Sequence, residues 1–161
     1  MAKQKVTKTN AVRILDQQKI NYNLLEYIVE DNQVDGVTVA KKVGHPVTHV
    51  FKTLVATAGK GKFFVFVIPV AEELNLKSCA KVVGEKKIEM LHVKDLLPTT
   101  GYIRGGCSPI GMKKLFPTYI DESAVNLDYI LVSAGKIGMQ IQINPNDLIN
   151  ITNGDFEKLT V

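Results

Sequence analysis

Residues 50–70 read VFKTLVATAGKGKFFVFVIPV, two runs dense in β-branched and aromatic residues separated by Gly59-Lys60-Gly61-Lys62. Such runs on either side of a short glycine turn predict a β-hairpin, with strands over 50–58 and 63–70. The second run is almost unbroken in its apolar character from Phe63 to Ile68, which calls for cover on both faces and puts the hairpin near the centre of the fold. Lys52 departs from the pattern, standing among Val50, Phe51, Leu54 and Val55. An ammonium on an enclosed strand face needs an anionic or polar partner, so Lys52 is a candidate anion anchor or, with a depressed pKa, a base. The plainer reading is an edge-strand lysine turned to solvent.

Outward from the hairpin, Thr7 to Gln18 predicts a helix capped by Thr9 or Asn10, with Ala11, Val12, Ile14 and Leu15 on its apolar face. A strand is expected over Ile20–Ile28, then an acidic turn at Glu30-Asp31 and a short helix from Thr38 to Val43 ended by Gly44. In Leu74–Val83 the residues Leu76, Cys79, Ala80 and Val83 recur at i, i+3, i+4 and i+7, predicting a helix stopped by Gly84 with Cys79 in the core. Tyr102-Ile103, Pro117–Ile120, Tyr129–Val132 and Met139–Ile143 are four further candidate strands, and Asp147–Asn150 begins a last short helix. Helices inserted irregularly among six or seven strands do not give the alternation of a doubly wound sheet. The prediction is a mixed α/β (α+β) fold with a curved, partly antiparallel sheet, in a single domain over residues 1–161.

A chain of 161 residues is long enough to bury one core. It has no apolar run of membrane-spanning length, and Met1-Ala2-Lys3-Gln4-Lys5 lacks an apolar signal core, so a cytoplasmic protein without a membrane partner is expected. Cys79 and Cys107 are distant in sequence and neither has a ligand at metal-binding spacing, so no disulfide scaffold or zinc site is expected. The formal charge of +4 permits an anionic partner such as nucleic acid. Lys60, Lys62, Lys77, Lys81, Lys86, Lys87, Lys113 and Lys114 suggest a basic rim around one site.

The richest loop is Gly101-Tyr102-Ile103-Arg104-Gly105-Gly106-Cys107-Ser108-Pro109-Ile110-Gly111. Gly105 and Gly106 permit positive φ and close approach to main-chain N–H groups, and Pro109 stiffens the exit, which suits a carbonyl oxygen or a phosphate; the alternative is a tight turn that binds nothing. Ser133-Ala134-Gly135-Lys136-Ile137-Gly138 is a second glycine-bearing bend, with Ser133 a hydrogen-bond donor or an ordinary turn residue. No G-x-S-x-G element surrounds a serine, and His45, His49 and His92 have no nucleophile beside them, which argues against a catalytic triad. Cys107 lies in a glycine-rich setting expected to be exposed, so a nucleophilic thiol must be weighed, although no base accompanies it. Tyr27 and Tyr102 either line a pocket or pack.

Taken together, the helix Thr9-x-Ala11-x-x-x-Leu15, Phe51-Lys52-Thr53-Leu54, Leu74-Asn75-Leu76-Lys77, Gly101-Tyr102-x-x-Gly105-Gly106-x-Ser108-Pro109-x-Gly111 and Ser133-x-Gly135-Lys136-x-Gly138 resemble the YbaK/EbsC family, bacterial relatives of the editing domain of prolyl-tRNA synthetases. The resemblance runs through nearly the whole chain in order. It implies a barrel-like, mostly antiparallel mixed sheet flanked by helices and an aminoacyl-tRNA deacylase of hydrolase or lyase type. Such an enzyme clears mischarged tRNA in trans, typically Cys-tRNA(Pro) and also Cys-tRNA(Cys), without metal or cofactor. Its expected partners are the acceptor end of aminoacyl-tRNA and prolyl-tRNA synthetase. Carried over by position, Lys52 is the essential lysine and Gly105 and Gly106 receive the aminoacyl carbonyl. Tyr27, Thr53, Ser108, Pro109, Ser133 and Gly135 fall to substrate binding, and the substrate's own thiol attacks its ester. The family does not require a cysteine where Cys107 stands. Against this reading stand a non-catalytic tRNA- or synthetase-binding module of the same fold and a small-ligand protein.

Overall fold

The structure is a computed structural model that describes residues 8–29 and 35–161. The helix onset expected at Thr7 and the acidic turn Glu30-Asp31 lie outside the described residues. Helices α1 (Asn10–Gln17), α2 (Gly36–Val43), α3 (Leu76–Val83), α4 (Val93–Thr100) and α5 (Pro145–Thr152) accompany strands β1 (Tyr22–Glu26), β2 (Phe51–Gly59), β3 (Lys62–Pro69), β4 (Glu89–Met90), β5 (Thr118–Asp121), β6 (Ile130–Ser133), β7 (Met139–Ile143) and β8 (Asp155–Glu157). The mixed α/β class is as expected.

The predicted hairpin forms from β2 and β3, paired from Phe51↔Pro69 to Thr57↔Phe63. Its turn is made by Gly59, Lys60 and Gly61, all at positive φ, where glycine carries no steric cost. It lies within a five-stranded sheet ordered β4-β2-β3-β5-β8, in which β5 and β8 run parallel and β4 antiparallel to their neighbours. The antiparallel set β1-β7-β6 makes a second sheet. The two meet through one parallel bridge, Val50↔Leu131. The implied barrel is therefore corrected: two open sheets share a seam, because the chain entering β2 meets β6 only at Val50 and β2 then pairs with β4.

The apolar run of β3 is covered on both faces. Phe64, Phe66 and Ile68 pack with Cys79 and Ala80 of α3, Ile88 and Leu159. On the other face Val65 meets Val55, Tyr102 and Cys107, while Val67 joins the main core of Leu15, Phe51, Ile120, Ile130 and Ile141. Helix α3 starts at Leu76, later than expected, because the Asn75 side chain accepts the Ser78 N–H as its cap, and Gly84 ends it in the left-handed region.

Tyr102-Ile103 is not a strand. Tyr102 donates its N–H to the Thr100 hydroxyl and its own hydroxyl to the Ile110 carbonyl, which bends the chain back over the glycine loop. Just before it runs α4, which tolerates Pro98 in its last turn and ends at Gly101. Neither α4 nor the short strands β4 and β8 is expected from the sequence.

Truncating Phe66, fully buried between α3 and Tyr119, should cost about 3–5 kcal/mol. Urea unfolding of Phe66→Ala should show this as a lower midpoint at an unchanged slope.

Candidate functional site

One edge of β2 is fully occupied by β3; the other is divided. Val50 bridges to β6 at one end, Ala56 and Thr57 pair with β4 at the other, and the Val55 carbonyl accepts the Leu91 N–H. Between these points Thr53 has no ladder partner on that edge among the described residues. The Val65 N–H donates to the Pro117 carbonyl just before β5, so alternation turns the main-chain groups of Phe64, Phe66 and Ile68 toward β2 and leaves the N–H and C=O of Thr53 facing the gap.

The gap is a cavity of about 90 Å³, bordered by Val50 to Thr53, Gly36 and Val39 of α2, Tyr27 beyond β1, Ser133 and Gln140 of the second sheet, and Gly105 and Cys107 of the glycine loop. Strand pairing sets this wall: Gln140 lies opposite Leu25 on one side and Ser133 on the other, so their side chains share a face. The Tyr27 N–H donates to the Gly138 carbonyl, which holds the tyrosine at the head of that face. Gly36 sits so close to Val70 that a Cβ there would collide with it. A cleft of about 790 Å³ adjoins the cavity and shares Lys52, Thr53, Gly105 and Cys107 with it.

The cavity is polar and unsatisfied. The Tyr27 hydroxyl, Thr53 Oγ1 and Gln140 Oε1 are buried without a hydrogen-bond partner among the described residues, and all three residues line it. Each such group costs about 1–3 kcal/mol. Buried polar groups are normally partnered, so a cluster of them around one space makes it a candidate site for a polar ligand. Lys52 adds the only side-chain cation among the described lining residues, and no described carboxylate lies within salt-bridge distance of it.

The two expected glycines part company. Gly105, at φ +83°, borders both the cavity and the cleft, and its N–H has no main-chain acceptor among the described residues. The Gly106 N–H is taken up by the Ile103 carbonyl, so it is not free to receive a substrate carbonyl. What Gly106 provides is room: a Cβ there would lie 2.9 Å from the Ile137 nitrogen and 3.1 Å from the Lys136 carbonyl carbon, so only glycine lets the 101–111 loop seat against the 133–138 bend. Gly135, at φ +98°, leaves space for the Tyr102 ring.

Of the other expected site residues, Lys52, Thr53, Tyr27 and Ser133 line the cavity, and Ser133 Oγ also accepts the Gly135 N–H. Ser108, Pro109 and Gly135 do not. Ser108 is fully buried and its hydroxyl accepts the Ile110 N–H, bracing the loop. Pro109 faces a separate hollow beside Ile14 and Phe116. Tyr102 packs against Val55, Val65 and Cys107. The sequence reading missed Gln140, 6% exposed in the middle of the second sheet on β7; a glutamine alternating with isoleucines looks solvent-facing, and its covered position follows only from Ser133 and α2.

The exposed setting expected for Cys107 is corrected. The residue is 7% exposed, and burial pushes its thiol up to about 12. At neutral pH it is an un-ionised side chain in the cavity wall, not a poised thiolate. Burial likewise pushes Cys79 up to about 11.

By fold, the chain is like "Crystal structure of hypothetical protein APE2540" (TM-score 0.86, 18% identity, covering 95% of this chain and 100% of that one). It is also like "Crystal structure of a putative trans-editing enzyme for prolyl tRNA synthetase" (TM-score 0.83, 20% identity, 94% and 95%). These likenesses define a single mixed α/β architecture. Residues 31–151 match the aminoacyl-tRNA editing domain family. The chain is 50% identical over 161 residues to "Putative Cys-tRNA(Pro)/Cys-tRNA(Cys) deacylase EbsC" of Enterococcus faecalis (strain ATCC 700802 / V583), covering 99% of this chain and 98% of that one. The protein belongs to the aminoacyl-tRNA editing domain family, in its YbaK/EbsC branch.

A Gly106→Ala substitution must push the two loops apart and should destabilise by about 1–3 kcal/mol, read as a lower thermal midpoint. Iodoacetamide at pH 8 should label neither thiol in the folded protein and both in denaturant. Because both folded values lie above the ordinary 9.0, the folded state keeps protons that the unfolded chain releases. The thiols' contribution to stability is complete below pH 9 and falls as the pH rises from there through about 11 and 12.

Proposed function

We propose that the protein is a trans-acting deacylase of cysteinyl-tRNA in the cytoplasm, with mischarged Cys-tRNA(Pro) as its first substrate and Cys-tRNA(Cys) as its second. The observation that carries this reading is the composition of the cavity. It brings together Lys52, Gly105 and three unsatisfied polar side chains, with no histidine, aspartate or glutamate among its described lining residues. Such a site suits binding and polarising an ester, with no imidazole or carboxylate among its described lining residues to activate the hydroxyls of Thr53 and Ser133 or the thiol of Cys107. The name borne by the Enterococcus faecalis relative supports the same substrates.

The missing nucleophile is the substrate's own. A cysteinyl thiol ordinarily ionises near pH ~8.5, so a usable fraction is thiolate at neutral pH. Its sulfur attacks the ester carbonyl carbon: the C–S bond forms, the bond from that carbon to the 3′-oxygen breaks, and the oxygen takes up a proton to leave as the tRNA 3′-hydroxyl. The strained cyclic thioester then reacts with water and opens to free cysteine. The protein's part is orientation and charge. The Gly105 N–H receives the carbonyl oxygen as it becomes negative. Lys52, at the junction of cavity and cleft, supports the charge on the departing 3′-oxygen. Tyr27, Thr53, Ser133 and Gln140 hold the aminoacyl group by its amine and thiol. Cys107 shapes the wall and takes no part. Recognition of tRNA(Pro) falls to prolyl-tRNA synthetase as partner, since the site itself meets only the acceptor end.

The test is release of labelled amino acid from Cys-, Ala-, Ser- and Pro-tRNA(Pro). Only the cysteinyl ester should be lost rapidly. Lys52→Ala should slow that loss by about 10²-fold or more, while Cys107→Ser should leave it within about threefold, an amount worth less than about 1 kcal/mol of barrier. Equal cleavage of the alanyl or seryl ester would overturn the thiol-assisted route, and tRNA binding with no cleavage of any ester would leave a binding module.

A further inference from the structure

None of the eight lysines expected to rim the site lines the cavity or the adjoining cleft. Six of them gather instead at the far end of the central hairpin. Lys60 and Lys62 stand at its turn, Lys77 and Lys81 lie one turn apart on α3, and Lys86 and Lys87 belong to the link between α3 and β4; all six are exposed. Two contacts bring these pieces together. The Lys62 ammonium donates to Glu85 at 3.1 Å, and Glu89 of β4 pairs with Thr57 near the end of β2. Among the described residues the other five lysines have no carboxylate within salt-bridge distance.

The whole chain has 20 Lys and Arg against 16 Asp and Glu. Without these six lysines and the two glutamates beside them, Glu85 and Glu89, the remainder is balanced, so the chain's positive excess resides on this one surface. Glu72 precedes α3 at its other end and borders a different hollow with Asp121 and Glu122. No large apolar side chain is exposed between residues 59 and 89. Protein interfaces are built around apolar and aromatic anchors and are poor in lysine, whereas a phosphate backbone asks only for cations. The surface also lies at a useful distance from the chemistry: from Thr53 at the cavity to Gly59 the extended β2 covers about 20 Å, and the cleft, bordered by Val55 and Met90, opens in that direction.

We infer that this end of the hairpin is a second nucleic-acid contact, at which Lys60, Lys86 and Lys87, together with Lys77 and Lys81 of α3, bind the phosphate backbone of the paired acceptor stem while the ester occupies the cavity. The inference rests on the deacylase reading for the identity of the nucleic acid and adds a surface which that reading does not use. Phosphate contacts set position and carry no sequence information, so this surface orients the stem and leaves the choice of tRNA to a partner.

The test compares the full chain with its Lys60→Gln/Lys86→Gln/Lys87→Gln variant, and with a charge-matched Arg13→Gln/Lys19→Gln/Lys158→Gln variant altered elsewhere on the surface. Fluorescence anisotropy across a salt series follows binding of an acceptor-stem minihelix ending in CCA and of the single strand ACCA. The hairpin variant should keep the thermal midpoint, bind the minihelix about tenfold more weakly at low salt, and lose about one unit of salt slope per lysine removed. Its affinity for the single strand should not change, and the charge-matched variant should bind the minihelix like the parent. In deacylation the hairpin variant should raise KM for Cys-tRNA(Pro) with kcat unmoved, the mark of lost uniform binding, and should cleave cysteinyl-adenosine, which has no stem, as the parent does. Minihelix affinity and salt slope unchanged in the hairpin variant, or reduced equally in the charge-matched one, would overturn the contact. Displacement of the minihelix by polyglutamate at equal charge concentration would overturn it in favour of an acidic protein partner. Weakened minihelix binding in the hairpin variant, with no ester cleaved by any of the three proteins, would uphold the contact and overturn the reaction.

Discussion

The site exists because β2 cannot satisfy both of its neighbours along one edge. Its inner edge is locked to β3 over the whole hairpin, while its outer edge starts against β6 and finishes against β4. The short interval between them, around Thr53, is open backbone at the seam of two sheets. An unpaired strand edge is normally a hazard, and here it is recessed: α2, the second sheet and the glycine loop close over it. Lys52 is thereby fixed on the central hairpin of the molecule at the border of the opening. Rigid placement of a cation beside main-chain donors is what electrostatic catalysis requires, since groups already oriented need no rearrangement when charge develops.

Holding that opening polar is unfavourable, with three buried atoms lacking partners among the described residues, and the surrounding packing has to outweigh it. Loop-on-loop contact supplies part of that. Gly106 lies against the backbone of 136–137, Gly135 against the Tyr102 ring, and the Tyr102 hydroxyl on the Ile110 carbonyl. The motif that looks like a flexible ligand cradle is mostly a packing device. Of the loop's glycines only Gly105 is left at the surface of the cavity, and the neighbouring glycine, serine and proline hold it there.

That division explains what was legible in the residues. The hairpin, α3, the Gly44 and Gly84 stops and the strand Met139–Ile143 follow from local periodicity and turn chemistry, and they appear with ends shifted by no more than a few residues. Lys52 was legible because a lysine in an apolar strand violates its own neighbourhood. Motif membership carried no such physical signal for Ser108, Pro109 and Gly135, which share loops with the site yet do not line it. Cys107 misled because glycine-rich sequence suggests exposure, whereas Tyr102 and the hairpin bury it. Helix α4 was hidden by Pro98, and β8 by its length of three residues and dependence on β5. Gln140 needed the partner strands to be known before its face was.

On the proposed thiol-assisted route the site draws its selectivity from chemistry more than from fit. Discrimination by one small side chain in a pocket is worth only about 1–3 kcal/mol, and a cavity of about 90 Å³ admits several small residues. When the protein supplies no nucleophile, an ester that fits but carries none of its own is bound and released intact. On that route the thiol is both the recognised group and the reagent, so esters of similar size that lack a thiol survive without being excluded. On the proposed route, adding a well-placed carboxylate base to this cavity would widen the range of esters cleaved, because water could then attack esters that carry no thiol.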